Sequence, residues 1–164
     1  MISEFEFFHG VVFARMLHLA QRQLSIEPYS SSDNAAYILD GTWGIYIKYS
    51  SKRLSPWHFS FHKRHQDMIA QLKKDVGMVF LLLVCSHDGV VILTFDELKQ
   101  ILDERHGEVE WISATRNRRQ MYSIKGSDGR LNFKVGKDDF LKKIFDAEGG
   151  TLAPQEHRNS IQMG

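Results

Sequence analysis

The sequence predicts a fold of the α/β (α+β) class: a single domain in which helices flank a mixed central sheet. Three patterns support this prediction. A capped helical pattern begins the chain, an Asp-Gly turn at 40–41 joins two strand patterns, and a continuous apolar run from Met78 to Cys85 stands between two helical patterns. A strand that is apolar at every position is buried on both faces, so other elements must cover both sides of its sheet.

The first helix is predicted from Ser3-Glu4-Phe5-Glu6, which fits a capping box with Ser3 as the N-cap and Glu6 at the third helical position. Apolar residues continue with helical spacing to about Leu24. Because these residues form a wide face, we expect the helix to be packed deeply.

Two strands after a serine-rich loop are predicted to form a hairpin, since Asp-Gly is one of the strongest signals for a tight turn between strands. A two-residue loop at 40–41 would put Asp33 directly opposite Lys48. A loop longer by two residues shifts the pairing but keeps both side chains on one face, because strand side chains alternate with period two. An acid and a lysine would therefore share a sheet face, with Tyr46 beside them.

The remaining elements follow from local spacing and turn residues. Trp57, Phe59 and Phe61 alternate with polar residues, which predicts a half-buried strand. We expect a helix at 62–76, strands at 78–85 and 90–93, a capped helix at 94–103, strands at 109–115, 120–125 and 130–135, and a helix at 138–145. Residues 1–148 form the predicted domain, and residues 149–164, which lack apolar periodicity, are predicted to be a disordered tail.

Composition is that of an ordinary globular protein. The chain has 164 residues, 25% of them charged, and a formal net charge of +1. A protein with so little net charge attracts nucleic acid only through a local basic patch. The single cysteine, Cys85, lies in an apolar run, which favours a buried thiol and a reducing compartment. The sequence has no secretory pattern or membrane-spanning run, so we expect a cytoplasmic protein without a membrane partner.

One set of residues, taken in chain order, resembles a known enzyme family. It consists of an acid near the start of the first helix, an acid ahead of the hairpin, the strand Ile45-Tyr46-Ile47-Lys48-Tyr49-Ser50, a helix and a hydrophobic strand. This order is similar to the core of the PD-(D/E)xK nucleases, which have the restriction-endonuclease-like fold. The strand and capped helix at 90–98 resemble those that often follow the core in small bacterial members.

The resemblance implies a catalytic set. Asp33 would take the place of the family's first acid, Lys48 that of its lysine, and Glu6, or alternatively Glu4, that of the helix-borne acid. Glu6 and Asp33 would then hold Mg²⁺, which polarises the phosphate and activates water, while the lysine orients or deprotonates that water. Tyr46 stands where the family has its second acid, and a tyrosine does not replace a carboxylate as a ligand of Mg²⁺. A serine also replaces the proline of the family motif.

A simpler explanation fits the same residues. Asp33 and Lys48 can form a cross-strand ion pair, and Glu6 can serve only the capping box. We therefore predict a nuclease-like fold whose catalysis is weak or lost. No cofactor is firmly predicted, and Mg²⁺ is expected only if the site is active.

Two groups of residues predict contact with nucleic acid, DNA in preference to RNA. The first is Lys52, Arg53 and Trp57 after the hairpin, and the second is Arg116, Arg118 and Arg119 in a predicted turn. Cations supply affinity for phosphates, and aromatic rings stack on bases. The alternative is a solvated surface for the charges and a core position for Trp57.

Three histidines raise the alternative of a zinc site. His58, His62 and His65 are closely spaced, but no cysteine or acid accompanies them in a recognised ligand pattern. His65 lies on the apolar stripe of its helix, which favours a partly buried core residue.

Three hypotheses about function stay open. The first is a nucleic-acid-binding protein with a degenerate nuclease-like fold. The second is an active Mg²⁺-dependent phosphodiester nuclease, and the third is a protein-interaction subunit that binds a partner chain.

Overall fold

The computed structural model describes residues 1–29, 33–137 and 139–146 of the chain. The elements in chain order are α1 (Glu4–Ala20), β1 (Ile26–Pro28), β2 (Ala36–Leu39), β3 (Trp43–Ser50), β4 (Trp57–His62), α2 (Lys63–Val76), β5 (Val79–Cys85), β6 (Gly89–Thr94), α3 (Phe95–Ile101), β7 (Val109–Thr115), β8 (Ser123–Gly126), β9 (Gly129–Arg130) and α4 (Phe140–Asp146). These elements form one domain and confirm the predicted α/β (α+β) class. The predicted tail at 149–164 lies outside the described residues.

The strands form two sheets rather than one. The first has the order β1-β2-β3-β5-β6 and is mixed, because β3 and β5 run parallel while its other neighbours are antiparallel. The second has the order β4-β7-β8-β9 and is antiparallel throughout. The chain passes from β3 to β5 through β4 and α2, so this crossover links the two sheets.

Different layers cover the two faces of the mixed sheet. On one face, helices α1 and α4 complete a cluster of buried apolar side chains that includes Val12, Met16 and Phe145. On the other face, the cluster contains residues of α2 and α3 together with inward-facing residues of the second sheet, such as Phe59. The expectation that helices flank the sheet is therefore correct for the first face, whereas helices and a second sheet share the other face.

Helix α1 differs from its prediction in length and burial. It ends at Ala20, and Gln21 adopts a left-handed conformation with φ 55°. Residues 21–25 lie in neither a helix nor a strand, and Leu24 packs against the core from that segment, so its apolar character does not mark a continued helix. The helix is also not packed deeply, because Phe7 and Leu19 are 61% and 62% exposed.

The hairpin has a longer loop than the one assumed for the register. Leu39 pairs with Trp43, so residues 40–42 form a three-residue loop. Asp40 and Gly41 both have positive φ, 54° and 66°, which an Asp-Gly pair adopts readily. The shift of one residue means that Asp33 is not paired with Lys48 in the ladder, and Asp33 precedes β2 altogether.

Strand β1 was not predicted, and the remaining elements agree with their predictions except at their ends. Helix α2 ends at Val76, and the φ of 82° at Gly77 gives the left-handed cap expected of a glycine. Helix α3 begins with the predicted capping box between Thr94 and Glu97. Strands β8 and β9 are shorter than predicted, and Val135 joins the sheet only through a bridge to Tyr122. Within the described ranges, no helix combines the length and apolar character needed to span a membrane.

Candidate functional site

A polar cavity of about 320 Å³ lies beside the C-terminal half of β3. Its lining consists of His9, Asp33, Asn34, Ala35, Tyr46, Ile47, Lys48, Tyr49 and His65. The aspartate, tyrosine and lysine of the predicted catalytic set therefore share one cavity.

Asp33 reaches this cavity through a local turn. Its Oδ1 accepts a hydrogen bond of 2.8 Å from the backbone N–H of Ala35, two residues ahead. An aspartate that bonds its own backbone in this way fixes the direction of its side chain. The other oxygen, Oδ2, accepts a hydrogen bond of 2.8 Å from the Tyr46 hydroxyl. The turn thus brings Asp33 next to β3, although Asp33 is not paired in the ladder.

Tyr46 acts as a neutral donor in this arrangement. Its side chain is fully buried in β3, and burial, together with the adjacent charge of Asp33, raises the pKa of its phenol well above the ordinary range. The phenol therefore keeps its proton at neutral pH and uses it to donate a hydrogen bond to the carboxylate of Asp33. It offers no negative oxygen to a metal ion.

Lys48 provides the positive charge of the cavity. Its Nζ lies 3.5 Å from Nδ1 of His65 and 5.2 Å from the ring centroid of Phe61. Burial lowers the pKa of Lys48 to about 8, Asp33 opposes that shift, and the positive charge of Arg64 adds to it. At pH 7 the lysine is still predominantly charged, although it loses its proton more readily than an exposed lysine.

His65 is neutral and has a defined tautomer. Its Nδ1 accepts a hydrogen bond of 3.1 Å from the backbone N–H of His62, at the start of α2. The proton of the neutral ring is therefore on Nε2. Burial lowers the pKa of His65 to about 4, and the charges of Lys48 and Arg64 contribute further. The Lys48 ammonium approaches this same nitrogen, Nδ1, whose one lone pair already accepts from the His62 N–H, so its contact with the lysine is long.

The structure does not bring Glu6 into the cavity, which corrects its placement beside Asp33 in the predicted metal pair. Glu6 is exposed, and its Oε1 accepts hydrogen bonds of 2.7 Å from both the N–H and the hydroxyl of Ser3. These bonds lower the pKa of Glu6 and use its carboxylate for the capping box. Glu4, the alternative acid, interacts with Tyr49 and likewise does not line the cavity.

His9 is the α1 residue that lines the cavity, and the sequence analysis missed it. It is 3% exposed, its Nδ1 lies 2.7 Å from the Tyr37 hydroxyl, and burial lowers its pKa to about 4. A signal was present in the sequence, because His9 follows Phe8 at the edge of a buried stripe that continues with Val12.

Two of the residues predicted to bind nucleic acid have structural roles instead. Trp57 is 2% exposed and its Nε1 donates a hydrogen bond of 2.8 Å to the carbonyl of Lys52, so its ring is not available to stack on a base. Arg116 binds Asp88 through two hydrogen bonds, 2.7 Å from Nε and 2.6 Å from Nη2. The burial of Trp57 and the ion pair of Arg116 both depend on distant parts of the chain.

The other four predicted cations are exposed on neighbouring loops. They are Lys52, Arg53, Arg118 and Arg119. The two loops meet where the N–H of Arg116 donates a hydrogen bond of 3.1 Å to the hydroxyl of Ser55. We call these four residues the loop cations.

The three histidines of the zinc alternative do not form a metal site. His58 is exposed and lies beside Trp111, at a ring separation of 6.5 Å, whereas His62 and His65 cap α2. In the part of the chain that the structure describes, these histidines do not belong to any group of three or more potential metal ligands.

No protein-family model matches this chain, and comparisons with curated proteins and with solved structures also give no match.

Proposed function

We propose that this protein is a cytoplasmic nucleic-acid-binding protein, with a preference for DNA, whose nuclease-like site has lost metal-dependent catalysis. The observation that carries the proposal is the pairing of Asp33 with Tyr46 beside Lys48. A lysine and one acid are present in the cavity, but a neutral phenol occupies the position of the second acid.

The side chains that line the cavity support the proposal that the site no longer binds Mg²⁺. Mg²⁺ is bound in proteins through carboxylates, water and phosphate oxygens in a nearly ideal octahedron. Among the described residues, Asp33 provides the only carboxylate that lines this cavity, and one of its oxygens already accepts from the Tyr46 phenol. Binding of a phosphate by the positive charge of Lys48 in this cavity needs no metal.

Chain order also supports the proposal. Helix α1, the acid ahead of the hairpin, Lys48 on β3, helix α2 and the buried strand β5 follow one another as the resemblance to PD-(D/E)xK nucleases implies. Lys48 lies near the C-terminal end of β3, which runs parallel to β5. In sheets of this kind, ligands bind beyond the carboxyl ends of the parallel strands.

The loop cations supply a surface for the sugar-phosphate backbone. Lys52 and Arg53 follow Lys48 within five residues, so the chain leads directly from the cavity to the exposed loop. Arg118 and Arg119 lie on the neighbouring loop. Local patches of this size bind phosphates by releasing counterions, although the net charge of the protein is only +1.

Fluorescence anisotropy with labelled duplex DNA, single-stranded DNA and RNA of equal length tests the proposal. We expect duplex DNA to bind most tightly, with an affinity that falls steeply with salt. The double variants Lys52→Gln/Arg53→Gln and Arg118→Gln/Arg119→Gln should each weaken binding about tenfold and reduce the salt slope by about two, since each removes two phosphate contacts. Lys74→Gln/Arg105→Gln removes the same charge elsewhere and should bind as the wild type does.

Cleavage separates this proposal from an active nuclease. With Mg²⁺ or Mn²⁺ present, the wild type should leave supercoiled plasmid intact. Metal-dependent nicking that is lost in both Asp33→Asn and Lys48→Gln, but kept in Glu6→Gln, would establish the active-nuclease alternative. Absence of nucleic-acid binding at low salt would contradict both and leave the protein-interaction subunit.

A further inference from the structure

Three acidic side chains from separate segments meet on the side of the second sheet near the end of α3. Asp103 follows α3, Glu110 lies in β7, and Asp128 lies in the turn between β8 and β9. One carboxylate oxygen from each lies within 4.8 Å of the other two. None of these residues lines the cavity of Lys48.

Glu110 has a buried oxygen without a partner. The residue is 8% exposed, and its Oε2 accepts a hydrogen bond of 2.8 Å from the N–H of Gly107. Its Oε1 is buried and has no hydrogen-bond partner in the described part of the chain. A buried carboxylate oxygen in this state is costly unless a hydrogen-bond donor or a cation satisfies it. This observation is independent of the clustering and indicates a site for a hydrogen-bond donor or a cation.

The nearest basic side chain does not satisfy the three acids. Over residues 1–29, 33–137 and 139–146, no lysine or arginine forms an ion pair with Asp103, Glu110 or Asp128. Lys99 is close enough for the charges of Asp103 and Glu110 to oppose the lowering of its pKa by burial. Its ammonium nevertheless lies 3.4 Å from Nε2 of His106.

The carboxylates are held by the backbone around them. Oδ2 of Asp128 accepts a hydrogen bond of 2.9 Å from the N–H of Asp103, and Oδ1 of Asp103 accepts one of 2.8 Å from the N–H of Arg105. The turn of Asp128 is pressed against the end of α3, because a Cβ at Gly126 or Gly129 would collide with backbone carbonyl oxygens of that helix. A ligand set on such short, fixed segments is preorganised.

We propose that Asp103, Glu110 and Asp128 form a binding site for a hard divalent cation, Ca²⁺ or Mg²⁺. Carboxylate oxygens are the preferred ligands of both ions, and Ca²⁺ binds them at about 2.3–2.6 Å. Two ligands of one Ca²⁺ are then at most about 5 Å apart, so three oxygens that lie within 4.8 Å of one another are close enough to bind the same ion. The ion would satisfy the buried oxygen of Glu110 and join the end of α3, β7 and the β8–β9 turn. This proposal is independent of the one for the Lys48 cavity.

Thermal unfolding and Tb³⁺ luminescence of the full chain test the cation site. In EDTA and then in excess Ca²⁺ or Mg²⁺, the wild type should gain about 5–10 °C in Tm at an ion concentration a hundredfold above Kd. Trp111 directly follows Glu110 in β7 and should sensitise bound Tb³⁺, which Ca²⁺ then displaces. The two ions, tested separately, identify which one the site prefers.

Two variants and a matched control make the test specific. Glu110→Gln and Asp128→Asn keep the shape of the side chains and should reduce the shift in Tm to below about 1 °C, with loss of the Tb³⁺ signal. In EDTA, Glu110→Gln should be at least as stable as the wild type, because it replaces a buried carboxylate, one oxygen of which has no hydrogen-bond partner among the described residues, with a neutral amide. Glu108→Gln makes the same change at an exposed position two residues away and should retain the full shift. Absence of any shift and of Tb³⁺ binding in the wild type would overturn the proposal, as would a shift that both variants retain.

Discussion

The molecule contains two groups in which a fully buried tyrosine donates a hydrogen bond to an aspartate beside a basic side chain. One group is Asp33, Tyr46 and Lys48, and the other is Asp88, Tyr122 and Arg116. In the second group, the guanidinium takes both oxygens of Asp88, and the two side chains are only 14% and 18% exposed. In the first group, the lysine lies 3.5 Å from Nδ1 of His65 and 5.2 Å from the ring centroid of Phe61, and it faces a cavity.

The difference between the two groups follows from the side chains. Arginine presents a planar fork that matches a carboxylate, whereas lysine is a compact point charge on a flexible stem. The Arg116 group is thus closed, and it connects the loop after β5 to the end of β7. The Lys48 group is open, so its charge is available to an anion. We therefore assign a structural role to the first and propose a binding role for the second.

The largest expected effect is on stability at the closed group. Asp88→Ala removes the acceptor that the half-buried Arg116 shares with the fully buried Tyr122 and should lower the free energy of unfolding by about 3 kcal/mol. Asp33→Ala removes a turn bond and the acceptor of Tyr46, and should cost about 2 kcal/mol. Urea unfolding, followed by tryptophan fluorescence, measures both values. Equal losses in the two variants would contradict the distinction between a closed and an open group.

A single substitution should give the open group a second carboxylate. The substitution is Tyr46→Glu, made in a Glu110→Gln background so that the site of Asp103, Glu110 and Asp128 does not contribute to metal binding. In EDTA it should destabilise the protein by about 3 kcal/mol, because it buries an acid beside Asp33. Mn²⁺ or Mg²⁺ should recover part of that loss, measured as a rise in Tm that Glu110→Gln alone does not show. A response to metal that is the same with and without the Tyr46 change would mean that the tyrosine is not what prevents metal binding.

The pH dependence of Lys48 gives the smallest effect. The pKa of this lysine in the folded protein is about 8, below its ordinary value of 10.5. Between those values the unfolded chain binds more protons at this group, so the contribution of Lys48 to stability increases as pH rises, by up to about 1.4 kcal/mol per pH unit. The wild type should gain stability relative to Lys48→Met from pH 8 to 10, while its affinity for DNA falls over the same interval. Parallel pH profiles for the two proteins would rule out a lowered pKa at this position.

Sequence patterns predicted most of the elements but only part of the site. Asp33 and Lys48 were predicted to be neighbours from a ladder register that is wrong by one residue. The two are neighbours because Asp33 bonds the backbone of Ala35 in a turn outside the ladder. An aspartate close to a hairpin can approach the next strand through ladder pairing or through a turn. Asp33 and Lys48 are therefore neighbours although the predicted pairing was wrong.

Residues whose partners are distant in sequence could not be assigned from local patterns. Arg116 stands in a basic run after β7 of the second sheet. Asp88, which neutralises it, lies in the turn between β5 and β6 of the first sheet. Trp57 follows two basic residues, but β7 and Tyr122 bury its ring in the core. In contrast, the capping box of Glu6 was visible in four consecutive residues, and the structure contains it as the sequence indicates.

Local sequence patterns were therefore sufficient for the class of the fold, the buried strand β5 and the caps of α1 and α3, because caps and alternation depend on residues a few positions apart. Folding in three dimensions was needed to show that Tyr46 donates to Asp33, that His9 and His65 line the cavity while Glu6 does not, and that Asp103, Glu110 and Asp128 meet. The physical reason is that hydrogen-bond partners and burial depend on which elements cross, and the crossing of two sheets through β4 and α2 leaves no short-range pattern in the chain.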